Sequence, residues 1–217
     1  MSNPSSTPQD LGPIRLRLLA ELRASHHAAY FQLISIIQAS VFAYLIGSVV
    51  TNWKSYAVPH WILVATTGLL VVIVWNGYVR GITPVVYPPK LLDGLIPFLL
   101  GLAQCVLVFG TKDPNLWLWG LSAVSGVGFL GYLNQKINSC RDNANDNVMP
   151  YILGHLRIQM GSSLSVSLLS AALAWLVNDS PYLLATLSLL IVSAYIIQEE
   201  ILWLRLIGFA RAERHGA

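Results

Sequence analysis

Charge is what this sequence has least of. Of its 217 residues only 11% are Asp, Glu, Lys or Arg, whereas an ordinary soluble domain carries roughly 25%. With 55% of the residues hydrophobic, too few charged side chains remain to coat a soluble globule, which excludes a free-standing cytoplasmic enzyme. Intrinsic disorder is excluded as well, because it requires low hydrophobicity and high charge. Cysteine is scarce: Cys105 sits inside an apolar run and Cys140 in a polar segment. The two lie too far apart for a disulfide, and no Cys/His cluster has ligand spacing, so both read as ordinary thiols.

Catalytic signatures are also missing. There is no HExxH, GxSxG, CxxC pair or Walker loop, so an enzyme is not expected, nor a metal or a cofactor. Gly126, Gly128 and Gly131 spell GxGxxG, but they fall inside an apolar helix rather than between a strand and a helix, and read as helix packing. His26 and His27 are adjacent and point in different directions on a helix, which suits the headgroup level better than a shared metal. A TVGYG filter and the regular arginines of a voltage sensor are absent, which argues against those channel types.

What the chain has is long apolar runs. A helix crossing ~30 Å of hydrocarbon needs ~20 mostly apolar residues, and six segments qualify: 28–50, 59–79, 91–110, 116–135, 161–177 and 181–203. They are too long for strands, and barrel strands would alternate over ~10 positions. The expected fold is all-α: a polytopic membrane protein of six transmembrane helices arranged as three antiparallel hairpins. Short connections at 111–115 and 178–180 support the hairpin reading, with Pro181 at a first helical position and Ser180 or Asp179 as its cap.

Arg15, Arg17 and Arg23 precede span one, Arg80 and Lys90 follow span two, and Lys136, Arg141 and Arg157 follow span four. Arg205, Arg211 and Arg214 follow span six, leaving only Lys54 and Lys112 of the 13 basic residues for the other connections. The positive-inside bias therefore places both termini in the cytoplasm. The net charge of +3 reports that inner face and is no signal for nucleic acid. The expected location is multi-pass in a plasma or bacterial inner membrane.

Residues 1–12 read as a flexible cytoplasmic tail rather than a cleavable signal peptide. Residues 13–207 form the transmembrane domain and 208–217 a cytoplasmic end. Pro13 starts a helix with Ile14, Leu18 and Leu22 on one stripe, which either runs into span one or lies at the headgroups. Pro150 plays the same part before span five, with Ile152, Leu156 and Met160 on a stripe. Span six continues unbroken to about residue 213. Residues 138–147 are polar and read as a cytoplasmic loop.

Polar residues within spans are costly in hydrocarbon and seek partners or water. They gather toward the cytoplasmic ends, where Asn76, Asp93, Asn134 and Glu199 are candidates for one polar pocket or gate. The competing reading is a set of interfacial ion pairs, Asp93 with Arg80 or Lys90 and Glu199 or Glu200 with Arg205. Pro97, four residues after Asp93, favours a kink there. In span one Gln32, Ser35 and Gln38 recur every three residues, a stripe that either lines a water path or bonds neighbouring helices. Ser163, Ser167 and Ala171 in span five, with Ser122 and Gly126 in span four, have the spacing of close helix packing.

A faint repeat runs through the even-numbered spans: Gly77-Tyr78-Val79, Gly131-Tyr132-Leu133 and Ala194-Tyr195-Ile196. It reads as an aromatic belt at the headgroups or as the trace of a duplicated two-helix unit. Two functional readings follow. One is a small-solute or ion transporter or channel subunit, oligomeric, with the polar cluster as gate or binding site. The other is a non-catalytic anchor, sensor or regulatory subunit whose helical extensions bind a cytoplasmic protein partner. The lipid bilayer is the partner common to both.

Overall fold

The computed structural model describes residues 12–82, 91–142, 149–176 and 180–216, with side chains described for 28–80, 91–140, 149–176 and 180–208. Several sequence readings lie outside these residues: the tail before residue 12, the side chains of Ile14, Leu18, Leu22, His26 and His27, Lys90, the end of the 138–147 loop, and Asp179.

The described residues form six α-helices: α1 Gly12–Asn52, α2 Val58–Ile82, α3 Leu91–Gly110, α4 Pro114–Asp142, α5 Met149–Leu176 and α6 Pro181–Gly216, with a short 3-10 turn at Trp53–Ser55. Each of the six contains a stretch long and apolar enough to cross a membrane. This is a multi-pass membrane protein. Its exterior suits hydrocarbon: Leu102, Phe109, Trp175 and Leu190 all stand exposed, where lipid rather than water satisfies them.

Helix starts follow the local chemistry. At α4, Asp113 Oδ1 accepts the backbone N–H groups of Asn115 (3.0 Å) and Leu116 (3.3 Å), and Pro114 sits where a missing N–H costs nothing. At α6, the Ser180 carbonyl accepts the first helical bond from Leu184 N (3.0 Å), with Pro181 as the first helical residue. α1 is continuous from Gly12, so the helix begun at Pro13 runs into span one. The 138–147 loop reading is corrected at its start: α4 continues to Asp142. Asn138 and Ser139 are buried there, and they carry local bonds back to Asn134 Oδ1 (3.3 Å) and the Gln135 carbonyl (2.7 Å). A polar stretch stays helical when its side chains can bond one turn back within the same helix.

Lipid tails are as apolar as leucine, so helix association in a bilayer depends on close packing and interhelical hydrogen bonds. Both are visible. A Cβ added to Gly110 would fall 2.5 Å from Trp117 Cα, Gly120 lies against Leu107, and Gly131 against Ile96. Asn134 then bonds Asp93. Each step back along α3 is matched by a step forward along α4, so these two helices run in opposite directions. Between α4 and α5, Ser167 Oγ donates to the Ser122 carbonyl (2.8 Å), while Gly126 faces Ser167 and Gly128 faces Ser163. The small residues of the GxGxxG run thus admit a neighbouring helix.

The core lies toward the Asp113 end of the bundle, where Leu63, Leu107, Trp117, Leu118 and Ala185 are fully buried. Trp117 Nε1 donates to Thr67 Oγ1 (2.8 Å), which satisfies the indole inside the core. At the opposite end, Met149, Ile152 and Leu156 form a smaller cluster with Tyr132. This contains two members of the stripe expected after Pro150. Between the two clusters the packing opens.

Candidate functional site

The opening is a cavity of about 150 Å³ lined by residues from all six helices. Its deep wall is apolar: Leu70, Leu100, Leu121, Val124, Ile191 and Val192. Toward the end that carries Arg80, the lining becomes polar. Asp93, Asn134, Gln135 and Glu199 stand there with Tyr78, Tyr132 and Tyr195.

Two carboxylates enter this lining by different routes. Asp93, in the first turn of α3, is 3% exposed. Its Oδ1 accepts Asn134 Nδ2 at 2.6 Å, and Asn138 Nδ2 reaches Asn134 Oδ1 in turn. The first turn of a helix also presents free N–H groups and the positive end of the dipole, a favourable place for an acidic side chain. Glu199 comes from α6. Its Oε1 accepts the Tyr132 hydroxyl at 3.2 Å, and the Tyr132 and Tyr195 hydroxyls lie 3.3 Å apart. Tyr195 and Glu199 are one helical turn apart and so share a face. A third tyrosine, Tyr78, packs edge-to-face on Tyr30 with ring centroids 5.9 Å apart, and both rings line the cavity.

Glu200 turns away from the cavity. It pairs with Arg80 Nη2 at 2.5 Å, and the Arg80 guanidinium lies 5.3 Å from the Trp203 ring centroid. The adjacent acids therefore divide the work, one lining the cavity and one joining α2 to α6. Two of the expected ion pairs are corrected: Arg80 meets Glu200 rather than Asp93, and Glu200 meets Arg80 rather than Arg205; the alternative pair of Asp93 with Lys90 lies outside the described residues.

Below the Tyr132–Glu199 bond lies a second cavity of about 30 Å³, lined by Arg80, His155, Trp203 and Leu206 among others. Gly77, Tyr132, Gln135 and Glu199 line both cavities and form the partition between them. His155, which lines the second cavity, has its Nδ1 buried without a hydrogen-bond partner among the described residues. A buried imidazole nitrogen without a partner is uncommon, and one beside a cavity is a group that water can satisfy.

Of the four residues expected to converge, three do. Asp93, Asn134 and Glu199 line the large cavity, whereas Asn76 does not. Asn76 is set one residue before the cavity-lining Gly77, and a helix turns each successive side chain by about 100°. The span-one stripe stands apart from both cavities. Gln32 is exposed, Ser35 Oγ accepts Trp75 Nε1 (3.2 Å), and Gln38 is buried in a reciprocal amide pair with Gln104, both bonds 3.0 Å. None of the three lines either cavity. Ser35 and Gln38 bond α1 to its neighbours instead.

The site also contains three tyrosines that polarity within the spans does not single out. Their signal was present in the small–Tyr–aliphatic triplet, since Tyr78, Tyr132 and Tyr195 all line the same cavity. Their place is the bundle interior rather than a lipid-facing belt. Among the described residues no three His, Cys, Asp or Glu side chains gather as a metal site. The two cysteines are free, Cys140 exposed and Cys105 partly buried. Compared with known protein families, curated proteins and solved structures, the chain matches none.

Proposed function

We propose that the chain is a small-solute or ion transporter or channel subunit, with the large cavity as its solute site and the Tyr132–Glu199 contact as its inner gate. The observation that carries this reading is the convergence of Asp93, Asn134, Glu199 and the three repeat tyrosines on one space between six helices. Ionisable groups inside a membrane bundle are expensive, and a water-filled or solute-filled cavity is where they are tolerated. The one-sided distribution of basic residues supports an orientation with both termini cytoplasmic and the polar end of the cavity facing inward, the six helices forming three antiparallel hairpins. The membrane on this reading is a plasma or bacterial inner membrane.

The test is flux into proteoliposomes. Asp93→Asn and Glu199→Gln should each lower solute flux by about tenfold or more at unchanged expression, the scale of one charged contact. Wild-type flux from both variants would sink the proposal.

A second reading is a regulatory or anchoring subunit with a cytoplasmic protein partner. It is favoured by helix length: α1 has 41 residues and α6 has 36, or ~60 and ~54 Å at 1.5 Å per residue, well beyond the hydrocarbon core. That reading expects no flux, and loss of a co-purifying protein when α6 is cut after Arg205. Self-association of the bundle is compatible with either reading.

A further inference from the structure

We propose that the large cavity takes a monovalent organic ammonium ion, an amine carrying a short alkyl or aryl body. This rests on the reading of that cavity as a solute site, and it adds the chemical class of the solute. The lining separates into two parts that match the two halves of such a molecule. The deep wall of Leu70, Leu100, Leu121 and Val192 offers hydrocarbon and no hydrogen bonds from its side chains. The other end offers the carboxylate of Glu199, the hydroxyls of Tyr132 and Tyr195 that gather on it, and the rings of Tyr30 and Tyr78. Carboxyl oxygens accept ammonium N–H groups, and phenol rings attract cations through their electron-rich faces.

The same lining disfavours other solute classes. No lysine, arginine or histidine is among the described residues of the wall, so an anion inside it would face the Asp93 and Glu199 carboxyls with no basic side chain of the described wall in contact. The basic residue nearest by sequence to the cavity-lining Tyr78 is Arg80, which is held by Glu200 on the far side of the partition. A strongly hydrated divalent cation needs about six oxygen ligands, and the described residues gather no trio of acidic, His or Cys side chains. A sugar would leave its hydroxyls against the apolar wall. An ammonium ion with an apolar body leaves neither half of the cavity mismatched.

The experiment is calorimetric titration of the full chain in nanodiscs, with empty nanodiscs as control, using three probes of one shape: phenethylammonium, 2-phenylethanol and phenylacetate. The cation should bind at least about tenfold more tightly than the alcohol, the equivalent of about 1.4 kcal/mol, and phenylacetate should not bind. Glu199→Gln should remove most of the preference for the cation over the alcohol. Val124→Phe, which fills the apolar wall, should abolish binding of both. Equal affinity for cation and alcohol, or tighter binding of phenylacetate, would overturn the assignment, and because that comparison uses the unaltered chain it holds even if a variant does not fold. Flux separates the two levels of the argument. Cation-selective binding without transport leaves the solute class standing and removes the transporter reading. Transport with no preference for cations does the reverse.

Discussion

Tyr132 on α4 donates its hydroxyl to Glu199 on α6 at 3.2 Å, and both residues belong to the wall shared by the large cavity and the smaller one beside Arg80. Tyr132→Phe keeps the ring and removes the donor. Because that hydroxyl also lies 3.3 Å from the Tyr195 hydroxyl, we expect a cost of about 1–2 kcal/mol of stability, the worth of one to two hydrogen bonds, while solute or water passage between the cavities rises. Thermal unfolding in detergent and proteoliposome leak, measured on the same preparation, check the two halves of this expectation. Unchanged leak would mean that the partition does not gate.

The amide pair between Gln38 and Gln104 allows a cleaner measurement. The two residues are 5% and 0% exposed and satisfy each other twice. Gln104→Leu alone leaves Gln38 buried and unpaired, whereas the double Leu variant leaves nothing unpaired. The double variant is therefore expected to be more stable than either single variant. A double-mutant cycle should give a coupling near the ~0.6 kcal/mol average for interhelical bonds in membranes, and below ~1.7 kcal/mol. Zero coupling would show that the pair contributes no net stability.

Glycine substitutions should rank by what the new methyl meets. At Gly110 it meets Trp117 backbone at 2.5 Å, which can yield only if α3 and α4 separate. Gly110→Ala is expected to cost about 3 kcal/mol, the upper end for overpacking. At Gly101 the obstacle is Ile37 Cγ2 at 2.6 Å, a methyl on a β-branched side chain whose χ1 is restricted in a helix, so Gly101→Ala should also be costly, about 1–3 kcal/mol. Gly94 and Gly154 have open space, and alanine there should be neutral or slightly stabilising, since alanine favours helix by up to ~1 kcal/mol. Unfolding midpoints of the four variants test the order.

The proposed orientation can be read from the natural cysteines. Cys140 is exposed near the end of α4, on the side assigned to the cytoplasm. A membrane-impermeant maleimide should label it in inside-out vesicles and leave it unlabelled in right-side-out ones. A cysteine placed at Lys112, between α3 and α4, should show the opposite pattern. Labelling of both from one side would reverse or abolish the termini-in topology.

Much of the site was legible in the sequence, and the part that was not has a geometric cause. Asp93, Asn134 and Glu199 announced themselves because polar groups in an apolar run are costly wherever they point. Asn76 announced itself by the same rule, yet one residue of helical rotation sets it apart from the cavity-lining Gly77. Gln32, Ser35 and Gln38 share a rough face, but what lies opposite that face is decided by other helices. The tyrosines gave a repeat without a destination, because tyrosine suits a headgroup belt and a cavity wall equally well.

The apolar runs and the scarcity of charge by themselves determined that the chain is helical and crosses a membrane several times. Those are local properties: a run of ~20 apolar residues is stable in hydrocarbon only if its backbone bonds are satisfied within the run. Only the tertiary structure decided which polar groups meet, which are bonded pairs and which face open space. Those outcomes depend on the rotation and depth of six helices against one another, and residues as distant as Tyr78, Tyr132 and Tyr195 share a cavity solely because the helices bring them there.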